Sequence, residues 1–152
     1  MRVGFTGTRA GMAIDQWQTF VEKILDFEMT EWHDGDCVGA DTQAHEAIRG
    51  FMREVPDFTP KLYGHPCNLD KYRAYNEYDF VHPAKAPLVR NRDIVQASDL
   101  MFAAPKEYEE VFRGSGTWAT IRHTRLKKKR LLIIWPDGTL SDEAGEATVF
   151  DN

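Results

Sequence analysis

Gly114, Ser115, Gly116 and Thr117, in the run GSGTW ahead of a helix-periodic segment, carry the most chemical content in the chain. Backbone N–H groups at a helix N-terminus are unpaired and partly positive, and glycine lets an anion approach them, so this stretch suits a phosphate. Ser115 and Thr117 add hydroxyl donors. The run TGTR after the first apolar segment offers a second set: Gly7 bends the backbone, Thr6 and Thr8 supply hydroxyls, and Arg9 presents a fork of donors. In DGDCVGAD, Gly35 and Gly39 permit close approach of backbone to a ligand. Asp36 and Asp41 would repel phosphate there and so suit sugar hydroxyls or a base edge. Asp41 is also placed to cap the helix that begins beside it. In RNRD, Arg90 and Arg92 stand two apart on a helix and point to different faces, so at most one meets a ligand. KKKR at 127–130 falls where a helix ends and cations suit its dipole.

No G-x-x-x-x-G-K-[ST] follows a strand, and no G-x-G-x-x-G follows the first one. A nicotinamide or flavin dinucleotide is therefore not the natural ligand, and no cofactor is expected. His33, Cys37, His65 and Cys67 would form a metal site only if the second and third strand ends approached each other, and no metal is expected. Cys37 and Cys67 make no C-x-x-C and are read as reduced thiols.

The elements that must position these residues follow from periodicity. Residues 1–6 predict a strand stopped by Gly7. Ile14, Trp17, Val21, Ile24 and Leu25 predict a helix over 14–28. Thr30 to His33 is a short strand, followed by helical spacing at Ala44, Ala47, Ile48, Phe51 and Met52. Thr59 to Tyr63 is a third strand, and 64–87 shows no period and reads as a long loop. Leu88 to Ala97 is a helix, Asp99 to Ala104 a strand, 116–129 a helix, and Leu131 to Trp135 the last strand. Five strands alternating with helices predict an α/β, three-layer Rossmann-like domain with a mostly parallel sheet. It covers 1–138, and 139–152 is an acidic C-terminal tail. Ligands of such sheets sit beyond the carboxyl ends of the strands, where all the turns named above fall.

The 152 residues hold 19 Lys and Arg against 24 Asp and Glu, a formal balance of −5, with 42% apolar and 28% charged residues. That composition excludes a disordered chain, a fibrous repeat and a disulfide scaffold. The longest apolar run, LLIIW at 131–135, is far short of a membrane span, and the N-terminus has no signal-peptide pattern, so no membrane partner and a cytoplasmic location are expected.

Three ordered stretches resemble the SLOG superfamily of Rossmann-like nucleotide-binding domains, which includes the LOG phosphoribohydrolases and the DprA DNA-processing proteins. They are VGFTGTR at 3–9, DGDCVGADTQAH at 34–45, and RNRDIVQASDLMFAAP followed by GSGTWATIRHTRLKKKRLLIIWPDG within 90–138. Gly35, Gly39, Asp41 and His45 are similar in spacing to a DprA segment. Arg90, Gly114, Gly116 and Thr117 resemble the LOG arginine and its glycine-rich turn. Among its members, the chain resembles the small stand-alone YspA or cpYpsA-related proteins.

The resemblance implies binding of a phosphate-bearing nucleotide or nucleotide derivative, as a sensor or sequestering module. The cleft would be lined by Thr6, Gly7, Thr8, Arg9, Gly39, Ala40, Asp41, Arg90, Gly114, Ser115, Gly116 and Thr117. LOG enzymes carry glutamates where this chain has Ala119 and Thr120, so hydrolysis of an N-glycosidic or phosphate bond is the alternative, with Asp36, Asp41 or Asp93 as the candidate base. DprA-like binding of single-stranded DNA ranks third, and the acidic balance argues against nucleic acid. The family also implies a homo-oligomer, for which Trp17, Phe27 and Trp32 are interface candidates if they are not core. Tyr72, Tyr75, Tyr78 and Phe80 in the 64–87 loop either stack on a base or pack beneath the loop.

Overall fold

Val3 and Phe5, alternating with Leu100 to Ala104 and Leu131 to Ile134, become the buried centre of one sheet in the computed structural model, which describes residues 1–145. The strands are β1 (Arg2–Gly7), β2 (Glu31–Asp34), β3 (Lys61–Gly64), β4 (Phe80–Val81), β5 (Leu100–Ala104), β6 (Arg130–Ile134) and β7 (Leu140–Glu143), ordered β4-β3-β2-β1-β5-β6-β7. All neighbours are parallel except β6 and β7. The connecting helices are α1 (Ile14–Lys23), α2 (Ala40–Glu54), α3 (Pro87–Ala97) and α4 (Gly116–Leu126).

The three-layer, mostly parallel architecture is the one the periodicity predicts, with two strands more than five. β4 is two residues long, below the length at which alternation can register, and it lies in the segment expected to be a plain loop. That segment also holds a 3₁₀ turn at Asp70–Tyr72. β7 reads LSDE, a polar edge strand whose sequence carries no apolar run. Arg130 pairs with Asp142 at 2.9 Å and Arg125 with Glu143 at 2.8 Å, exposed ion pairs that charge this edge more than they stabilise it. β7 carries the sheet past residue 138, into the stretch expected to be tail. Residues 146–152, the rest of that stretch, lie outside the described residues.

Each sheet face has its own core. On one side Phe5, Phe20, Trp32 and Phe102 pack with ring centroids 5.5–6.0 Å apart beneath α1 and α2. On the other, Ile94, Val95, Trp118 and Ile121 of α3 and α4 cover Met101, Ala103, Leu131 and Ile133. Strands buried on both faces explain why β5 and β6 read as unbroken apolar runs. Trp32 is core and Phe27 packs against it, whereas Trp17 remains 40% exposed. Lys129, within the basic run, donates to the carbonyls of Val95, Gln96 and Ser98 at 2.7–3.0 Å and ties off the end of α3. No helix of the described residues is long and apolar enough to cross a membrane.

One buried polar side chain links three elements. Gln16 donates to the Pro105 carbonyl at 2.9 Å and the Ile134 carbonyl at 2.7 Å, and accepts from the Ala13 N–H at 3.1 Å. Gln16→Ala leaves these groups buried and unpaired, and is expected to lower unfolding stability by about 2–4 kcal/mol in urea titration, with little change in m.

Candidate functional site

The strand order reverses between β1 and β5, and the turns that follow β1, β2 and β5 converge beyond that point. They enclose a cleft of about 310 Å³. Of the twelve residues expected to bind ligand, ten line it: Thr6, Gly7, Thr8, Arg9, Asp41, Arg90, Gly114, Ser115, Gly116 and Thr117. Gly39 and Ala40 do not. They dock two turns together, Ala40 N–H donating to the Thr8 carbonyl at 3.0 Å. Gly39 has φ +90°, and a Cβ there would collide with the Arg9 carbonyl. The cleft also takes Gly35, expected to allow close approach of a ligand, and Cys37, Asn91, Lys106 and Glu107, which sequence reasoning did not place in the site. Lys106 and Glu107 lie just after β5, the position relative to the sheet that would have found them.

The phosphate end is built on α4. Ser115 caps the helix, its Oγ accepting from Trp118 N–H at 3.1 Å. A Cβ at Gly114 would meet nothing within 4 Å, and one at Gly116 only Asn91 Nδ2 at 3.6 Å. The space before the helix N-terminus is therefore open. Arg9 stands across the cleft with its guanidinium 3.7 Å from the centre of the Tyr72 ring, which holds an otherwise exposed side chain in place.

The other end is buried and acidic. Arg90, only 8% exposed, donates to the Gly35 carbonyl at 2.7 Å and the His65 carbonyl at 3.1 Å, while Arg92 lies on the other side of α3, outside the cleft. A Cβ on Gly35 would meet Arg90 Nη1 at 2.6 Å and Asp41 Oδ2 at 2.8 Å, so only glycine lets both side chains close over this turn. Asp41 Oδ2 accepts from the N–H groups of Gly35 (3.1 Å) and Cys37 (3.3 Å). Burial, and next the charge of Asp34, push its carboxyl up to about 8, against the pull of Arg90. Burial likewise raises the Cys37 thiol to about 11, which makes it a poor nucleophile near neutral pH.

The three aspartates proposed as bases separate sharply. Only Asp41 lines the cleft. Asp36, at φ +50°, turns away and pins the 70–78 loop, accepting from Asn76 N–H at 2.9 Å and Arg73 Nε at 3.3 Å. Asp93 sits outside, paired with Lys85 at 2.7 Å. Asp34, fully buried, accepts from Trp32 Nε1 (2.8 Å), Asp36 N–H (2.8 Å) and Tyr78 Oη (2.5 Å). His45 Nδ1 is 3.4 Å from Asp34 Oδ2, and its ring lies 4.6 Å from that of Tyr78. Tyr78 thus packs against the core while Tyr75 and Phe80 are exposed, and none of Tyr72, Tyr75, Tyr78 and Phe80 lines the cleft.

His33 and His65 do approach, Nδ1 to Nε2 at 2.8 Å, with His33 Nε2 on Glu31 at 2.8 Å. Burial, and next His82, hold the His65 imidazole down at about 3. Among the described residues no three His, Cys, Asp or Glu side chains are arranged to hold a metal ion.

No protein-family model matches the chain, and no curated protein matches it. Among solved structures it is similar to DNA processing protein A (DprA) from Streptococcus pneumoniae, with a TM-score of 0.54 and 18% identity over 99% of this chain and 52% of that one. The chain therefore spans about half the length of that protein, and what the two share is the fold.

Because folding raises the Asp41 pKa, the native state binds the extra proton and this group's contribution falls as pH climbs from the ordinary carboxylate range toward about 8. Asp41→Asn is expected to flatten that part of the stability-versus-pH curve, so that its stability relative to wild type improves as pH rises. Parallel urea titrations at pH 5 and 8.5 check it; an unchanged difference would place Asp41 in solvent.

Proposed function

We propose that the cleft binds a phosphate-bearing nucleotide or nucleotide derivative, and that the protein acts as a cytoplasmic sensor or sequestering module of the SLOG superfamily, in the manner of its small stand-alone YspA-related members. The phosphate rests against Gly114 to Thr117 and is flanked by Arg9 and Lys106, and the sugar or base edge meets Asp41. The observation that carries this reading is the open space in front of Gly114 and Gly116, where free N–H groups face a cleft with cations on its walls. Its twofold character, anion-seeking at α4 and carboxyl-lined at Asp41, matches a molecule with phosphate at one end and hydroxyls or a base at the other.

The likeness to a DNA processing protein reopens nucleic acid as a partner, which the net charge of −5 argued against. Net charge is a sum over the whole surface, whereas Arg9, Arg90 and Lys106 gather locally in the cleft. A second reading, hydrolysis of an N-glycosidic or phosphate bond, is supported by Asp41 alone of the three candidate bases. Its raised pKa and place in the cleft fit a proton-transfer role. Self-association, if it uses the aromatics singled out from the sequence, draws on Trp17.

Gly116→Val directs two methyl groups into the cleft without touching the core. Affinity for nucleoside phosphates, measured by calorimetry, is expected to fall at least about a hundredfold, some 2.7 kcal/mol, with thermal stability unchanged. Full affinity would remove the α4 N-terminus from the site. For the hydrolase reading, chromatography of nucleotides incubated with protein is expected to show base or phosphate release that Asp41→Asn abolishes; intact ligand throughout leaves binding as the function.

A further inference from the structure

Arg90 is fixed through two of its three nitrogens. Nε donates to Asn91 Oδ1 at 2.5 Å, and Nη1 donates to the carbonyls of Gly35 and His65 at 2.7 and 3.1 Å. Nη2 makes no hydrogen bond or ion pair among the described residues. Its N–H groups belong to a side chain that lines the cleft and is only 8% exposed, so they are held ready for a ligand rather than for bulk water.

Asp41 stands beside it. The Cβ position of Gly35 is 2.6 Å from Arg90 Nη1 and 2.8 Å from Asp41 Oδ2. Oδ2 is taken by the N–H groups of Gly35 and Cys37, so a proton on this carboxyl belongs on Oδ1, which has no hydrogen-bond partner among the described residues. Burial and the charge of Asp34 keep that proton in place up to about pH 8. The other groups facing Asp41 hold their charge through that range. Burial keeps the Cys37 thiol at about 11, burial and Asp34 lift the Tyr78 phenol well above its usual range, and arginine is a permanent cation. His45 faces Asp34 rather than Asp41, and Arg9, Lys106 and Glu107 belong to the remaining wall of the cleft.

Near neutral pH this end of the cleft therefore presents two neighbouring donors, Arg90 Nη2–H and Asp41 Oδ1–H. Their natural partner is a pair of acceptors. Guanine and hypoxanthine carry such a pair at N7 and O6, whereas adenine carries N7 beside an amino group whose hydrogens oppose the Asp41 hydroxyl. We propose that Arg90 and Asp41 read the N7 and O6 edge of a 6-oxopurine nucleotide, and that Asp41 sets the preference over adenine. The inference rests on the nucleotide reading of the cleft. Ionised Asp41 is an acceptor, which suits the amino group of adenine and repels O6. Asp41→Asn makes the donor permanent, because its amide oxygen is needed by the two backbone N–H groups and Nδ2 is left toward the ligand.

The probes are the 5′-monophosphates GMP, IMP and AMP, titrated by calorimetry at pH 7 and pH 9 into wild type, Asp41→Asn and Gly116→Val. Wild type at pH 7 is expected to bind GMP and IMP at least about tenfold tighter than AMP, and at pH 9 to lose or reverse that preference. Asp41→Asn keeps the preference at both pH values, which separates the side chain from any titration of the ligands. IMP lacks the 2-amino group of guanine, so IMP bound only as weakly as AMP overturns the reading of this edge. Equal affinity for all three at pH 7, a wild-type preference that pH leaves untouched, or an Asp41→Asn preference lost at pH 9 overturns it as well. In each of those cases nucleotides still bind and Gly116→Val abolishes the binding, so the cleft stands without this selectivity. The wild-type titrations decide the edge and its pH dependence by themselves, whatever the folding of a variant. If no nucleotide binds wild type at either pH, the cleft reading falls and this one with it.

Discussion

A single buried carboxylate at the end of β2 organises the acidic half of the cleft. Asp34 lies out of reach of water and is held by an indole N–H and a backbone N–H from its own strand end and by a phenol hydroxyl from the 70–78 loop. An unpaired charge in that position would be strongly destabilising, so its partners are constrained to be where they are. Tyr78 is drawn down to it from the 70–78 loop. The backbone N–H of Asp36 is drawn in as well, which turns the Asp36 side chain toward Arg73 and Asn76 and fastens the same loop a second time. The charge of Asp34 then acts on Asp41, whose carboxyl it helps to keep protonated. One buried negative charge thus sets the shape of the loop and the proton affinity of the group facing the cleft.

Close packing around the same end is set by glycine rather than by charge. Gly35 leaves room for Arg90 and Asp41 to close over one turn, and Gly39 lets the start of α2 press against the loop after β1. These two contacts bring the turns after β1 and β2 to the cleft formed with the α4 N-terminus. The sheet provides only the common platform, with the reversal of strand order between β1 and β5 leaving the gap that the turns line. The fold similarity to DprA is a similarity in this platform.

The surface shows why total charge is a poor guide to partners. Several basic residues near the end of α4 are committed to structure: Lys129 caps α3, Arg125 and Arg130 pair with β7, and Arg122 faces Glu110. Arg9, Arg90 and Lys106 face the cleft. Asp41 and Glu107 line the same cleft, so local charge there is mixed and is not read from the sum over the chain.

The sequence by itself determined the layered α/β architecture, since residues 100–104 and 131–134 are apolar on both faces and only a doubly covered strand buries them so. It also determined the turns that would form the site, because glycines, hydroxyls and an arginine at strand ends are local features. β4 and β7 were not legible: one is too short to show a period, and the other is a polar edge strand defined only by its pairing with β6. Which aspartate faces the cleft was likewise beyond it. Asp36 and Asp41 are five residues apart, and their roles diverge because Tyr78 and Arg73, distant in sequence, bond to Asp36 and not to Asp41. Charge, burial and the direction of a side chain are properties of neighbours, and the tertiary structure decides the neighbours.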